Sequence, residues 1–447
     1  MKRLAMIFLM LISMAWPIGV SAGAMENFHE ARMIYMAAGA CMAAYDTRHR
    51  EMAITAIEQE GWQGAVYKQD GDKANVKYLL ARDIDSGLGR VHYVLAMAGT
   101  ESFRDIKVDL RAGKVYFAGS TLEEFMVNAQ RDDVPPDAPR VHEGFNQAAQ
   151  VLLSVESPLA ADEKAGEIRR LSDSLKEGKI DKIYLFGHSQ GGAVVTLFGA
   201  RVYDMGIRPE QIEIITFGAP GVGNESFQKK YDGKFSVTRF VVPGDIIPRA
   251  LRRVFGGYRH IGKEVNWTAP DTLENYFYHD IYVYLDLALK NYYLMRRQAM
   301  NEGLLPRSEP IGGKHRLYVA SIINSLSPAL TAEFPFMAEG LWEEYDRIVP
   351  GTVVDSGEES NLSLLEKAAA AGCTLLVVPE ISAHLAKNED PAFYYVSLIQ
   401  TVYRVSDGQL VDAAIFGAST KELTPLLALI LGARSLAADG PAWAKSN

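Results

Sequence analysis

The feature that most constrains this chain is a junction of three short pieces. Lys182-Ile183-Tyr184-Leu185-Phe186 reads as a compact buried strand and runs directly into Gly187-His188-Ser189-Gln190-Gly191. An apolar, helix-forming stretch from Ala193 to Phe198 leaves it. A strand that turns this tightly into a helix needs small residues at the corner, because the backbone there is strained and closely approached. The turn lifts a serine hydroxyl out at the carboxyl end of a sheet and aims a helix amino terminus at it. The bland reading of the same residues is a glycine-rich turn whose serine caps a helix.

The surroundings suit the first reading. Strand signals at His92–Met97, Lys182–Phe186, Ile212–Phe217 and Thr238–Val242 alternate with helical stretches, Ala161–Lys176 and Gly191–Tyr203 among them. A helix over Ala31–Tyr45 comes before them, and one over His279–Asn301 closes the unit. This alternation predicts an α/β fold with a mostly parallel sheet covered on both faces.

A serine nucleophile requires a base, and the base an orienting carboxylate. The expected chain order is Ser, then Asp or Glu, then His. Of nine histidines, only His260, His279, His315 and His384 follow Ser189. The last two lie past Gly303–Gly313 (GLLPRSEPIGG), whose prolines and glycines are linker chemistry. The acid is Asp245, directly after the strand Arg239–Val242; Asp232 competes without a convincing strand before it. His279 is the preferred base and His260 its rival.

At this point the residues resemble a family. Ala98-Gly99-Thr100-Glu101-Ser102 with Asp105 and Asp109-Leu110, and then Val141-His142-Glu143-Gly144-Phe145, are similar to blocks of the class 3, fungal-type lipases, a branch of the α/β-hydrolases. Gly187–Ala193, Thr216–Pro220 with Val222-Gly223-Asn224, Gly244–Pro248, Tyr258–Glu264 and His279 continue the series in the family's order. The resemblance implies that the Tyr258-x-His260-x-Gly262 block is structural and that His279 is the base. It also implies an oxyanion hole from the backbone N–H groups of Gln190 and Thr100, with the Thr100 hydroxyl beside them. Residues 102–110 would be a lid, or else a short amphipathic surface helix that never moves. Val115–Arg140 would be a long loop bordering the site. The chain departs from the family at Ala98 (usually arginine), Ile106 (tryptophan), Gln190 (leucine) and Gly221 (arginine), which bears on substrate choice.

Met1-Lys2-Arg3, the apolar stretch Leu4–Val20 and the small residues Ser21–Ala24 read as a signal peptide over 1–24, followed by a hydrolase domain over 25–302. Without a cysteine at the cleavage point, a lipid anchor is not expected. Export to the periplasm or the medium follows. Loss of Lys2 and Arg3 takes the formal net charge from −9 to −11, since two positive charges go and no negative ones. So acidic a protein is a poor partner for nucleic acid. Two cysteines, Cys41 and Cys373, are too few for a disulfide scaffold.

After a linker at 303–313, residues 314–447 read as a smaller α/β module with a mixed sheet. They carry no catalytic constellation, and His315, Cys373 and His384 lack metal-ligand spacing. The module faintly resembles a small domain of the Tol-system periplasmic protein and related envelope lipoproteins, which would imply an envelope partner. The expected function is an exported serine hydrolase of the lipase or esterase type, acting on lipid or other ester substrates, in transient contact with a lipid interface and without a cofactor. A thioesterase, or an envelope binding protein with a vestigial hydrolase domain, is the alternative.

Overall fold

A computed structural model describes residues 23–438 except 60, 72–73, 84–90, 100–112, 163–166, 255, 306–314, 358–360 and 387–392. The expected signal peptide therefore lies outside the described residues, apart from Gly23 and Ala24. So do the lid segment 102–110, Thr100 and most of the 303–313 linker. The described residues form two compact units. One is built from Arg32–Ala269 and Tyr276–Ala288; the other from 23–31, Pro270–Asn275 and Leu289 onward.

The first unit contains a sheet whose spatial order follows the chain: β1 (Trp62–Asp70), β2 (Asn75–Asp83), β3 (His92–Met97), β4 (Lys182–His188), β5 (Ile212–Phe217), β6 (Ser236–Val241) and β7 (Lys263–Asn266). β1 to β3 pair antiparallel, and β3 to β7 parallel. β4 and β5 are buried almost end to end, as expected of parallel strands covered on both sides. Helices α2 (Glu143–Leu153) and α3 (Gln190–Asp204) pack together over one face, with Leu95, Ile183, Leu185, Ile212 and Ile214 beneath them in one core. On the other parity Phe217 and Phe240 stack with Trp267, and Phe217 meets Tyr284 of helix α4 (Ile281–Asn301). A further helix, α1 (Ala24–Ala44), precedes the sheet. This is the α/β architecture expected from the sequence, a mostly parallel sheet with helices on both faces.

Two expectations need correcting. Among the described residues of Ala161–Lys176, only Leu171–Lys176 is helical; Glu156–Asp162 and Glu167–Arg170 pair instead as an antiparallel ribbon. Its Ala, Glu and Lys content favours helix, but propensity is a weak prior that ladder hydrogen bonds override. Val115–Arg140 is not a bare loop either. Lys114–Tyr116 pairs with Arg140–His142, and Leu122–Asn128 is a helix capped by the Thr121 side chain.

The second unit has a mixed sheet. β8 (Leu317–Val319) pairs parallel with β10 (Val353–Val354) and β11 (Leu375–Ala386), and β9 (Ile323–Ser325) pairs parallel further along β11. β11, β12 (Phe393–Arg404) and β13 (Leu410–Ser419) form an antiparallel meander. Helix α5 (Phe334–Ile348) packs against α6 (Pro425–Ala438), which lies on β12 and β13. Cys41 and Cys373 are both buried free thiols. Among the described residues no helix is long and apolar enough to cross a membrane.

Candidate active site

Ser189 is the one residue between β4 and α3, and its backbone turns through φ 55°, ψ −129°. Among the described residues it is the one non-glycine with positive φ, a conformation that costs on the order of 1–3 kcal/mol and persists only where surroundings impose it. Here they do. A Cβ on Gly187 would fall 2.5 Å from Gly192 Cα, and one on Gly191 would fall 2.4 Å from the Ala98 carbonyl oxygen. Both corners of the turn must therefore lack side chains. The Ser189 N–H donates to the Phe217 carbonyl at 2.9 Å, which ties the turn to β5.

Asp245 follows β6 in a tight turn closed by its own N–H to the Val242 carbonyl at 2.8 Å. His279 lies just ahead of α4. The structure brings the three side chains together at the carboxyl ends of β4 to β6. His279 Nδ1 is 2.8 Å from Asp245 Oδ2, and His279 Nε2 is 2.7 Å from Ser189 Oγ. An ionised carboxylate only accepts, so Nδ1 carries the proton and Nε2 is left to accept from the serine hydroxyl. Ser189, Asp245 and His279 are 2%, 4% and 4% exposed, which makes these contacts count more than they would in water.

Both oxygens of Asp245 are held. Oδ1 accepts from the Ile247 N–H at 2.9 Å. Oδ2 accepts from the Tyr284 hydroxyl at 2.7 Å as well as from His279. The Tyr284 oxygen in turn accepts from the Val242 N–H at 3.2 Å.

A second chain of hydrogen bonds runs behind the base. The Gly99 N–H donates to the Tyr45 hydroxyl oxygen at 2.7 Å, and that hydroxyl donates to His188 Nδ1 at 2.5 Å. His188 Nε2–H then donates to the His279 carbonyl at 2.8 Å. The tautomer follows from that carbonyl, which can only accept. Burial, then the neighbouring His279, hold the His188 imidazole well below its usual pKa. Its ring centre is 4.9 Å from that of His279. A second positive charge so close would oppose protonation of His279, so a neutral His188 is what a general base there requires.

The rival residues lie elsewhere. His260 Nε2–H donates to the Pro248 carbonyl at 2.9 Å, and burial helped by the Arg239 charge pushes its pKa down to about 4. Asp232 accepts from the Gly262 N–H. His142 is buried, stacked on Phe145 at 4.0 Å, and caps α2. Of the two residues expected at the oxyanion hole, Gln190 opens α3, where backbone N–H groups lack partners within the helix; Thr100 is outside the described residues. Its neighbour Gly99 lies against the nucleophile, since a Cβ there would be 2.5 Å from Ser189 Cβ. Tyr45 and Tyr284 carry no motif in the sequence. They become visible only when α1 and α4 are placed beside the elbow strand. No group of three or more His, Cys, Asp or Glu among the described residues is arranged to hold a metal.

Residues 94–255 match the family Lipase (class 3). A lipase of Caenorhabditis elegans is 41% identical over 68 residues, covering 15% of this chain and 19% of that protein. A lipase of Rhizopus niveus is 26% identical over 181 residues, covering 40% of this chain and 39% of that protein. The chain thus spans less than half the length of these relatives. Among solved structures, the Rhizomucor miehei triacylglyceride lipase aligns at TM-score 0.39 and 20% identity, over 56% of this chain and 83% of that one.

Proposed function

Because residues 94–255 match the class 3 lipase family, we propose that this protein is an exported serine hydrolase that cleaves carboxylic esters of acylglycerols or phospholipids. The observation that carries the reading is the continuous hydrogen-bonded series Ser189–His279–Asp245 on a strained turn at the carboxyl end of a parallel sheet.

The chemistry follows from that arrangement. Ser189 Oγ attacks the ester carbonyl while His279 Nε2 takes its proton. Asp245 stays ionised, fixes the imidazole tautomer and stabilises the imidazolium. By the resemblance to the class 3 lipases, the developing oxyanion would be held by the backbone N–H groups of Gln190 and Thr100, each such donor contributing about 3–4 kcal/mol in the transition state. His279 returns the proton to the departing alkoxide, leaving an acyl-enzyme on Ser189. Water activated by the same imidazole then releases the acid. No metal or organic cofactor enters these steps. The basic and apolar start of the sequence supports export to the periplasm or medium.

The test is hydrolysis of p-nitrophenyl esters from acetate to palmitate by the full chain. Turnover that prefers long acyl chains identifies a lipase, and turnover that prefers short ones an esterase. No turnover by folded protein on any of them refutes the reading.

A further inference from the structure

The short helix Ile247–Val254 (IPRALRRV) begins two residues after the acid of the site. Its inward stripe is Ile247 and Leu251, 4% and 0% exposed. Its outward stripe runs at three-residue spacing through Ile246, Arg249 and Arg252, all exposed. Among the described residues neither arginine has a carboxylate partner. Some other exposed cations of this unit are matched, Arg131 by Asp133 and Lys229 by Glu225 among them.

Glu264 is engaged by Arg239, and Glu225 by Lys229. Past the helix, Lys114 sits over the Tyr258 ring at 4.4 Å and reaches the Gly256 carbonyl. Burial, then the Arg259 charge, lower the Lys114 pKa, and Arg252 adds to the depression of His260. Arg259 thus lies near Lys114, and Arg239 and Arg252 near His260 with Glu264 as the opposing charge, in a chain of net charge −9. Two large apolar side chains flank the same chemistry. Ile246 follows Asp245 directly, and Phe277 packs its ring 5.9 Å from that of His279; each is 51% exposed.

We propose that the outward face of Ile247–Val254, with Ile246 and Phe277, docks this protein on an anionic phospholipid surface and so selects negatively charged bilayers as the source of its ester substrate. This rests on the hydrolase reading above. The arginines supply attraction to the headgroups, and the apolar side chains enter the boundary between headgroups and acyl chains. A basic residue near such a surface strengthens binding about fivefold, so two give about 25-fold. The attraction has short reach at high salt, where the screening length falls from about 10 Å at 0.1 M to about 3 Å at 1 M.

The experiment is co-sedimentation of the full chain with phosphatidylcholine vesicles and with mixed phosphatidylglycerol–phosphatidylcholine vesicles. p-Nitrophenyl butyrate hydrolysis is measured in parallel. The expected result is at least tenfold tighter binding to the anionic vesicles, abolished near 1 M salt. The double variant Arg249→Gln/Arg252→Gln should lose it too while hydrolysing the soluble ester at the wild-type rate. Equal binding to both vesicles, or a preference retained by the double variant, overturns the proposal. Vesicle binding is read without turnover, so absence of butyrate hydrolysis in the wild type would sink the hydrolase reading and leave the surface decided by sedimentation alone.

Discussion

The two units treat a buried carboxylate in opposite ways. In the second, Glu344 is 4% exposed and lies between Arg434 and Arg347 at 2.8 and 2.7 Å; Glu339 is 5% exposed and held by Arg296 and Arg297 at 2.7 and 3.1 Å. In the first, Asp245 is as deeply buried but faces an imidazole, a phenol and a backbone N–H. Guanidinium keeps its proton at any accessible pH, so the Glu–Arg groups can only hold structure together. Imidazole can take up and release a proton, so the Asp245–His279 pair can pass one on. Partner choice, and not burial, separates a structural acid from a chemical one.

That contrast is broken most severely at the base. His279→Ala should lower turnover of a p-nitrophenyl ester by about 10⁴-fold or more with the fold intact by circular dichroism, whereas His260→Ala should leave turnover near the wild-type rate. The reverse pattern would reassign the base. In the second unit, Glu344→Ala strands two arginines and should cost about 3 kcal/mol of stability, read as a lowered unfolding midpoint, with soluble-ester turnover unchanged at permissive temperature. A tenfold loss of turnover there would show that the two kinds of acid are not separable.

Smaller effects sharpen the comparison. Tyr45→Phe removes the donor to His188 while keeping the ring, and should lower kcat about tenfold with KM nearly unchanged. An unchanged kcat would make the Gly99–Tyr45–His188–His279 chain mere packing. The last test is acid stability. His260 is held at about 4 when folded against about 6.5 unfolded. Below pH 6.5 the unfolded chain binds the extra proton, so stability falls with falling pH and levels off near pH 4. Replacing His260 with Gln should flatten the Tm profile between those limits, and an unaltered slope would place the titration elsewhere.

The parallel core was legible because β4 and β5 are short continuous apolar runs, and the candidate triad because strand, turn and chain order restrict which Asp and His can meet Ser189. Other parts were not. Helix α6 is apolar on every side over its first two turns, with Leu426, Leu427, Leu429 and Ile430 all buried, so it has no amphipathic stripe there to mark it. Tyr45 and Tyr284 act through partners 54 and 39 residues away in the chain, and no local spacing encodes such contacts. The ribbon Glu156–Arg170 was masked by helix-forming residues whose fate is decided by cross-strand pairing.

The most direct test of the account is hydrolysis of p-nitrophenyl butyrate by the full chain beside Ser189→Ala. Turnover is expected in the wild type, with a fall of about 10⁴-fold or more in the variant, both folded alike. Equal rates in the two proteins would contradict it, because the chemistry would then not pass through the serine on the strained turn.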